Sequence, residues 1–180
     1  MPAYLIDTNV MIAASAVQEL SKLALTATPY EIELREVVYL WLSRFDRSDD
    51  RLVMDEEELI RDEYERNMPY NWREQEYGMQ VLQSKFDRNL ADYVPIEVFE
   101  GDGERIACLP EHLELLVSDR EDRKWVACAH AAQLLLGEVP AIVYAAETDW
   151  FLAEPSLAAH GLRFCRLLPD DWYHQRVARK

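Results

Sequence analysis

The most constraining feature of this sequence is a change of pattern close to its N-terminus. The apolar run from Ala3 to Ile6 stops at three polar residues, 7–9. From Val10 to Leu23, apolar side chains recur at helical spacing. This change predicts a strand, a short polar turn and then a helix.

The same alternation continues along the chain. Apolar runs predict strands at 51–54, 94–99, 141–144 and 162–168, and helical spacing predicts helices at 30–45, 55–67, 118–136 and 156–160. Asp55 with Glu58, and Ser118 with Glu121, have the spacing of capping boxes. Strands separated by helices predict an α/β fold of three layers, α/β/α, with a mostly parallel central sheet.

The organisation predicted from this pattern is one domain that spans residues 1–180. No repeat, linker or low-complexity stretch divides the sequence. Residues 68–117 have the weakest pattern, and we expect them to form an insertion of helices and a hairpin.

Composition limits the class of protein. Hydrophobic residues make up 49% of the sequence, which has only five glycines and eight prolines, so disordered and fibrous classes are excluded. The three cysteines contain no Cys-x-x-Cys pair, which argues against a disulfide framework or a thiolate zinc site. The longest apolar run, 10–17, is too short for a membrane span and follows no basic leader. We therefore expect a cytoplasmic protein that does not bind membranes.

The formal net charge of −15 restricts the possible partners. Proteins that bind nucleic acid tightly and without specificity usually have a positive face, because phosphate contacts supply most of their affinity. The charge therefore argues against that mode of binding. It does not exclude a metal-dependent hydrolase, because a site that collects metal must be acidic locally.

Carboxylates follow two of the predicted strands directly. Asp7 comes after the first strand, and Glu147 and Asp149 come after the strand at 141–144. In an open parallel sheet, ligands bind beyond the carboxyl ends of the strands. We therefore expect these acids to lie near one another.

Two predicted helices add further carboxylates. Asp119 and Asp122 are three residues apart in the first turn of a helix, which places them on one side. Glu63 shares a helix face with Leu59 and Ile60, where a carboxylate needs a compensating partner. A metal ion is one such partner.

Carboxylate oxygens are the ligands that the hard ions Mg²⁺ and Mn²⁺ prefer. Such an ion makes bound water a better nucleophile and neutralises charge on a phosphate undergoing hydrolysis. The four histidines are scattered without a His-Glu-x-x-His motif, so the sequence gives no support for zinc hydrolysis.

Several segments of the chain resemble the PIN domain family. The matching segments are Tyr4-Leu-Ile-Asp-Thr-Asn-Val10, Glu58-Leu-Ile-Arg-Asp-Glu-Tyr64, Ser118-Asp-Arg-Glu-Asp-Arg-Lys-Trp-Val-Ala-Cys-Ala129, Ile142-Val-Tyr-Ala-Ala-Glu-Thr-Asp-Trp150 and Leu157-Ala-Ala-His-Gly-Leu-Arg163. Together they cover about half of the chain, at both ends. The region 68–117 has no counterpart among them.

The resemblance implies a metal-dependent ribonuclease, like the toxins of many bacterial toxin–antitoxin pairs, that leaves a 5′-phosphate. It implies that Asp7, Glu63 and Asp122 hold Mg²⁺ or Mn²⁺, with Asp119 beside Asp122. Thr8 and Asn9 match the polar residues that follow the family's first Asp.

The fourth acid departs from the family pattern. Relatives have Asp-x-Asp after the fourth strand, whereas this chain has Glu147-Thr-Asp149. Either Glu147 or Asp149 is therefore a candidate for the fourth catalytic and metal-binding acid. This departure argues against the binding of a second metal ion more than against the binding of the first.

The partners implied by the resemblance are an RNA substrate, an antitoxin protein and a second copy of the chain. Arg120, Arg123 and Lys124 flank Asp122 and are candidates to contact phosphate, although they also balance nearby acids. Near Arg66 and Arg73 the sequence has three aromatic residues, Tyr70, Trp72 and Tyr77. Their side chains either stack on unpaired bases or pack in the core or against a partner.

Two other interpretations remain open. One is a PIN-like protein-binding module with a decayed catalytic site, which the negative charge and Glu147 favour. The other is a phosphatase with Asp7 as the covalent nucleophile. That chemistry usually needs a second acid two residues later, where this chain has Asn9.

Overall fold

A computed structural model describes residues 1–69, 75–101 and 103–179 of the chain. The strands are β1 (Ala3–Ile6), β2 (Arg51–Asp55), β3 (Ala91–Val94), β4 (Val98–Gly101), β5 (Glu104–Ala107), β6 (Ala141–Tyr144) and β7 (Arg163–Arg166). The α-helices are α1 (Thr8–Ser15), α2 (Ile32–Arg47), α3 (Leu59–Asn67), α4 (Tyr77–Asp87), α5 (Glu111–Glu114), α6 (Arg123–Leu136), α7 (Thr148–Ala159) and α8 (Asp170–Val177). One 3₁₀ helix spans Lys22–Leu25.

The central sheet has five strands in the order β3-β2-β1-β6-β7, and every neighbouring pair is parallel. Strands β4 and β5 form a separate antiparallel pair. Helices α1, α2 and α4 pack together, whereas α6 contacts four strands of the sheet. The three-layer α/β/α fold with a parallel central sheet is thus confirmed.

The packing of α4 against α1 depends on Gly78. A β-carbon at this position would lie 2.9 Å from the β-carbon of Met11, so a larger residue would push the two helices apart. The Gly78 backbone N–H also donates to the Ser15 hydroxyl at 2.8 Å. These contacts hold α1 and α4 together on one side of the sheet.

The order of the strands creates a switch point between β1 and β6. From β1 the chain moves outward through β2 to β3, and it later returns to the opposite side of β1 to form β6 and β7. Because the connections leave these two strands in opposite directions, a crevice opens beyond their carboxyl ends. Asp7 and Glu147 follow these two strands.

The helices that carry the candidate acids begin differently from the sequence prediction. The cap by Asp55 is confirmed, because its buried carboxylate at the end of β2 accepts from the N–H groups of Leu59 at 2.8 Å and Ile60 at 2.9 Å. The part predicted for Glu58 in a capping box is wrong, because Glu58 has a left-handed backbone (φ 63°) and makes no capping hydrogen bond. Asp55 therefore fixes the start of α3.

The second predicted capping box is also wrong. Helix α6 begins at Arg123 rather than near Ser118. The Asp119 carboxylate accepts from the Glu121 N–H at 2.9 Å, which makes a turn before the helix. The acids of this segment therefore lie in a loop and at the cap of α6.

Other boundaries also differ. The first helix ends at Ser15, well before Leu23, and the helix predicted at 156–160 is the end of the longer α7. Helix α8 was not predicted. The extended segment predicted at 94–99 divides between β3 and β4.

The region predicted as an insertion is partly integral to the fold. Strand β3 pairs with β2 in the central sheet, and α4 packs against α1. Of the elements described in 68–117, β4 and β5 form a separate sheet, and the short helix α5 follows them.

Within residues 1–69, 75–101 and 103–179, no helix combines the length and the apolar character needed to cross a membrane. The cysteines Cys108, Cys128 and Cys165 are free.

We predict that Asp55→Ala lowers the free energy of unfolding by about 2 kcal/mol, because two backbone N–H groups of α3 lose their acceptor. Chemical denaturation measures this change. The control is Asp62→Ala, an exposed acid of the same helix, for which we expect a change within about 0.5 kcal/mol. Equal stabilities of the two variants would contradict the role given to Asp55.

Candidate functional site

Asp7 is the buried centre of the acidic cluster, with only 3% of its surface exposed. Its backbone N–H extends the pairing of β1 with β6 by donating to the Val143 carbonyl at 2.9 Å. Its carboxylate caps α1 by accepting from the Asn9 N–H at 2.8 Å. The other carboxylate oxygen accepts from the Trp150 indole Nε1–H at 3.0 Å. These contacts fix both oxygens of Asp7.

Glu63 reaches the cluster from α3. The neighbouring Tyr64 hydroxyl donates to the Ile6 carbonyl, which ties α3 to the end of β1. Glu63 Oε1 accepts from the Thr8 hydroxyl, and Glu63 Oε2 forms an ion pair with Lys124 Nζ. Both oxygens of Glu63 therefore contact protein donors.

Asp122 is the N-cap residue of α6, and its side chain makes no capping hydrogen bond. Its backbone N–H donates to the Asp119 carbonyl at 3.3 Å. Asp119 itself is exposed and shapes the preceding turn. Of the two acids, Asp122 is the one beside the buried cluster.

Glu147 reaches the cluster from the start of α7. Its carboxylate accepts from the Asp149 backbone N–H at 3.1 Å, which caps the helix, and from Asn9 Nδ2 at 3.3 Å. Asp149 lines a different surface depression, together with Leu116 and Ser118. The geometry therefore favours Glu147 over Asp149 as the fourth acid.

Burial is the main cause that raises the pKa of Asp7 to about 7. The hydrogen bonds from Asn9 and Trp150 oppose this rise, and the negative charges of Glu63 and Glu147 add to it. Asp7 therefore titrates near neutral pH.

Burial also raises the pKa of Asp122 to about 8. The charges of Asp7, Asp119 and Glu147 act in the same direction, and the Lys124 ammonium opposes them. The mutual influence of these groups shows that the fold brings acids from four separate segments into electrostatic contact.

Within the described residues, no group of three or more His, Cys, Asp or Glu side chains is arranged so that it could hold a metal ion. The donor atoms of Asp7, Asp122 and Glu147 are of the type that a hard divalent cation prefers, although these side chains are not arranged around a common point in this structure.

The predicted phosphate-binding residues have three different environments. Lys124 is buried, with 7% of its side chain exposed, and pairs with Glu63. Arg123 forms an ion pair with Glu114 of α5 at 2.7 Å. Arg120 is exposed and lines a groove of about 580 Å³ beside the cluster.

The predicted aromatic cluster is described only in part. The Tyr77 ring packs against Tyr39 of α2, with 4.9 Å between ring centroids, so this residue has a packing role. Tyr70, Trp72 and Arg73 lie outside the described residues.

The sequence reasoning missed Trp150 as a site residue, and for Lys124 it predicted a phosphate contact but not the pairing with Glu63. The Trp150 indole is almost fully buried, and a buried indole N–H usually has a hydrogen-bond partner, which here is Asp7. Lys124 lies two residues after Asp122, and its pairing with Glu63 depends on the separate path of α3. The position of Trp150 three residues after Glu147 was a sequence signal that it lies near the site. No sequence signal indicated that Lys124 pairs with Glu63.

Comparisons with models of protein families, with curated proteins and with solved structures found no match to this chain.

We predict that Asp122→Asn weakens the pH dependence of stability. A carboxyl group with a pKa of about 8 in the folded chain and 3.8 in the unfolded chain binds more protons when folded. The free energy of unfolding of the wild type therefore falls as the pH rises from about 4 to about 8. Between pH 5 and pH 8, the variant should lose about 2 kcal/mol less than the wild type.

Urea denaturation in the presence of a chelator measures this difference. Asp49→Asn is the matched control, because Asp49 is exposed and precedes β2 at the opposite edge of the sheet. It should keep the wild-type dependence. The same decline in wild type and Asp122→Asn would contradict the elevated pKa.

Proposed function

We propose that this chain is a metal-dependent ribonuclease that hydrolyses RNA phosphodiester bonds. The observation that carries the proposal is the meeting of Asp7, Glu63, Asp122 and Glu147 at the switch point of a parallel sheet. Perturbed carboxylates gathered in such a crevice are typical of functional sites. RNA as the substrate rests on the PIN domain resemblance.

In this proposal, Asp7, Asp122 and Glu147 hold Mg²⁺ or Mn²⁺. The bound ion would neutralise charge on the phosphate and make a water molecule more nucleophilic. At neutral pH, Asp7 and Asp122 carry protons for part of the time, so binding of the cation would release protons.

Several neutral groups orient the carboxylates. The Trp150 indole and the Asn9 backbone hold Asp7, and the Asn9 side chain contacts Glu147. Thr8 holds one oxygen of Glu63. These donors fix the acids without adding positive charge, which keeps the site attractive to a cation.

The groove beside the cluster offers a path for a polyanion. Its lining includes Arg66, Arg105 and Arg120. Arg105 pairs with Glu57 at 2.9 Å, whereas Arg66 and Arg120 form no ion pair with another described residue. Four acids also line the groove, namely Asp62, Glu65, Glu104 and Glu121. Because acids and arginines both line the groove, we expect a few local contacts with phosphate and no strong positive field along the groove.

A second candidate function is a protein-binding module that no longer catalyses. The ion pair of Lys124 with Glu63 favours it, because this internal cation already compensates one of the four acids. In that case, neither RNA cleavage nor stabilisation by Mn²⁺ is expected.

We predict that Asp7→Asn lowers the rate of Mn²⁺-dependent cleavage of total cellular RNA by at least about 100-fold, because the site loses a cation ligand. The same variant should lose most of the increase in melting temperature that Mn²⁺ gives the wild type. Cleavage assays and thermal denaturation measure the two effects.

Asp49→Asn serves again as the control and should match the wild type in both measurements. Circular dichroism verifies that each variant is folded. Wild-type activity in Asp7→Asn, or full activity of the wild type in chelator, would contradict the proposed function. Absence of both cleavage and Mn²⁺ stabilisation in the wild type would favour the protein-binding module.

A further inference from the structure

Helix α2 has an exposed face on which acids and arginines occupy opposite ends. Glu33 and Glu36 lie near the start of the helix, and Arg44 and Arg47 lie near its end. All four side chains are exposed. None of them belongs to an ion pair with another residue in the described part of the chain. These charges are therefore accessible to a partner.

The charges are arranged symmetrically about Leu40. Glu36 lies four residues before Leu40, and Arg44 lies four residues after it. Glu33 and Arg47 lie seven residues before and after it. With 3.6 residues per turn, the five positions fall within about 80° of the helix circumference. They form one stripe, which we call the α2 stripe, whose two halves mirror each other in position and are opposite in charge.

Exposed apolar side chains belong to the same face. Leu40 is 52% exposed, and the residues on either side of the stripe, Ile32 and Val37, are 62% and 46% exposed. The opposite face of α2 carries buried residues such as Val38 and Leu42, and α2 packs on α1 and α4. Contact with another apolar surface would remove the exposed side chains from water, which is favourable.

We propose that the chain forms a homodimer in which two copies of α2 pack antiparallel about a two-fold axis at Leu40. In this arrangement, Glu36 of each chain lies opposite Arg44 of the other, and Glu33 lies opposite Arg47. A second copy therefore satisfies every charge of the α2 stripe, as an isologous interface requires. A parallel pair in the same register would place like charges together. The inference does not depend on the proposed function.

The size of the face sets the expected strength of the dimer. Helix α2 has 16 residues and is therefore about 24 Å long, so its exposed face covers on the order of a few hundred Å². Stable interfaces usually bury about 800 Å² on each partner. Exposed ion pairs add little affinity but fix orientation and register. We therefore expect a dimer whose Kd is micromolar and rises with salt.

Sedimentation equilibrium of the full chain in low salt, at about 10 to 200 µM protein, should show this dimer. Glu36→Arg places two positive charges opposite each other, and Arg44→Glu places two negative charges opposite each other. Each variant should raise the Kd at least about tenfold. General repulsion between the chains predicts the contrary for Glu36→Arg, because this change reduces the net negative charge of the chain.

A mixture of the two variants tests the pairing itself. Positions 36 and 44 then carry opposite charges on both sides of the axis, so a heterodimer should form with a Kd within about fivefold of the wild type. A fluorescent label on one variant detects it. The double variant Glu36→Arg with Arg44→Glu exchanges both charges and should dimerise by itself to the same extent.

Glu138→Arg is the matched control, because Glu138 is an exposed acid that follows α6 and the change in net charge is the same as in Glu36→Arg. This control should associate at least as strongly as the wild type. The changed side chains are all exposed, and circular dichroism verifies that each variant is folded.

Three results would overturn the inference. One is a wild type that stays monomeric at about 200 µM in low salt. Another is a dimer that both single variants retain, because it would use a different face. The third is a mixture of the two variants that fails to associate, because the acids and arginines would then not face each other. Dimerisation of the wild type, its loss in each single variant and its return in the mixture would support it.

Discussion

The burial of Asp7 between β1 and β6 is the constraint on which the rest of the site depends. This residue ends the first strand, caps α1 and accepts the Trp150 indole N–H, so strand, helix and α7 meet at one carboxylate. Glu63 and Asp122 reach the same place from α3 and α6. Bringing like charges into a desolvated crevice costs stability, and proteins retain such arrangements chiefly at functional sites.

The chain reduces this cost in two ways. Neutral donors satisfy Asp7 and Glu147, while the Lys124 ammonium satisfies Glu63. Protonation relieves the rest of the repulsion, as the raised pKa of Asp122 indicates. A bound divalent cation would relieve the repulsion between the carboxylates in place of these protons. The proposed hydrolysis and the stability of the metal-free chain are therefore linked through the same carboxylates.

The sequence predicted the parallel α/β/α fold because its apolar pattern reports directly on strands and helices. It predicted the cap by Asp55 but not the start of α6, since Asp119 shapes a turn before that helix. Asp7 and Glu147 were accessible to prediction because acids after neighbouring strands share one edge. The pairing of Lys124 with Glu63 was not, because it depends on the tertiary meeting of two distant helices.

The proposed function requires that the acids at this edge of the sheet surround a divalent cation. Anomalous X-ray scattering from crystals grown with Mn²⁺ tests it most directly. We predict a peak between the carboxylates of Asp7 and Asp122. No peak at this edge, or a peak bound by Asp149 away from Asp7, would contradict it.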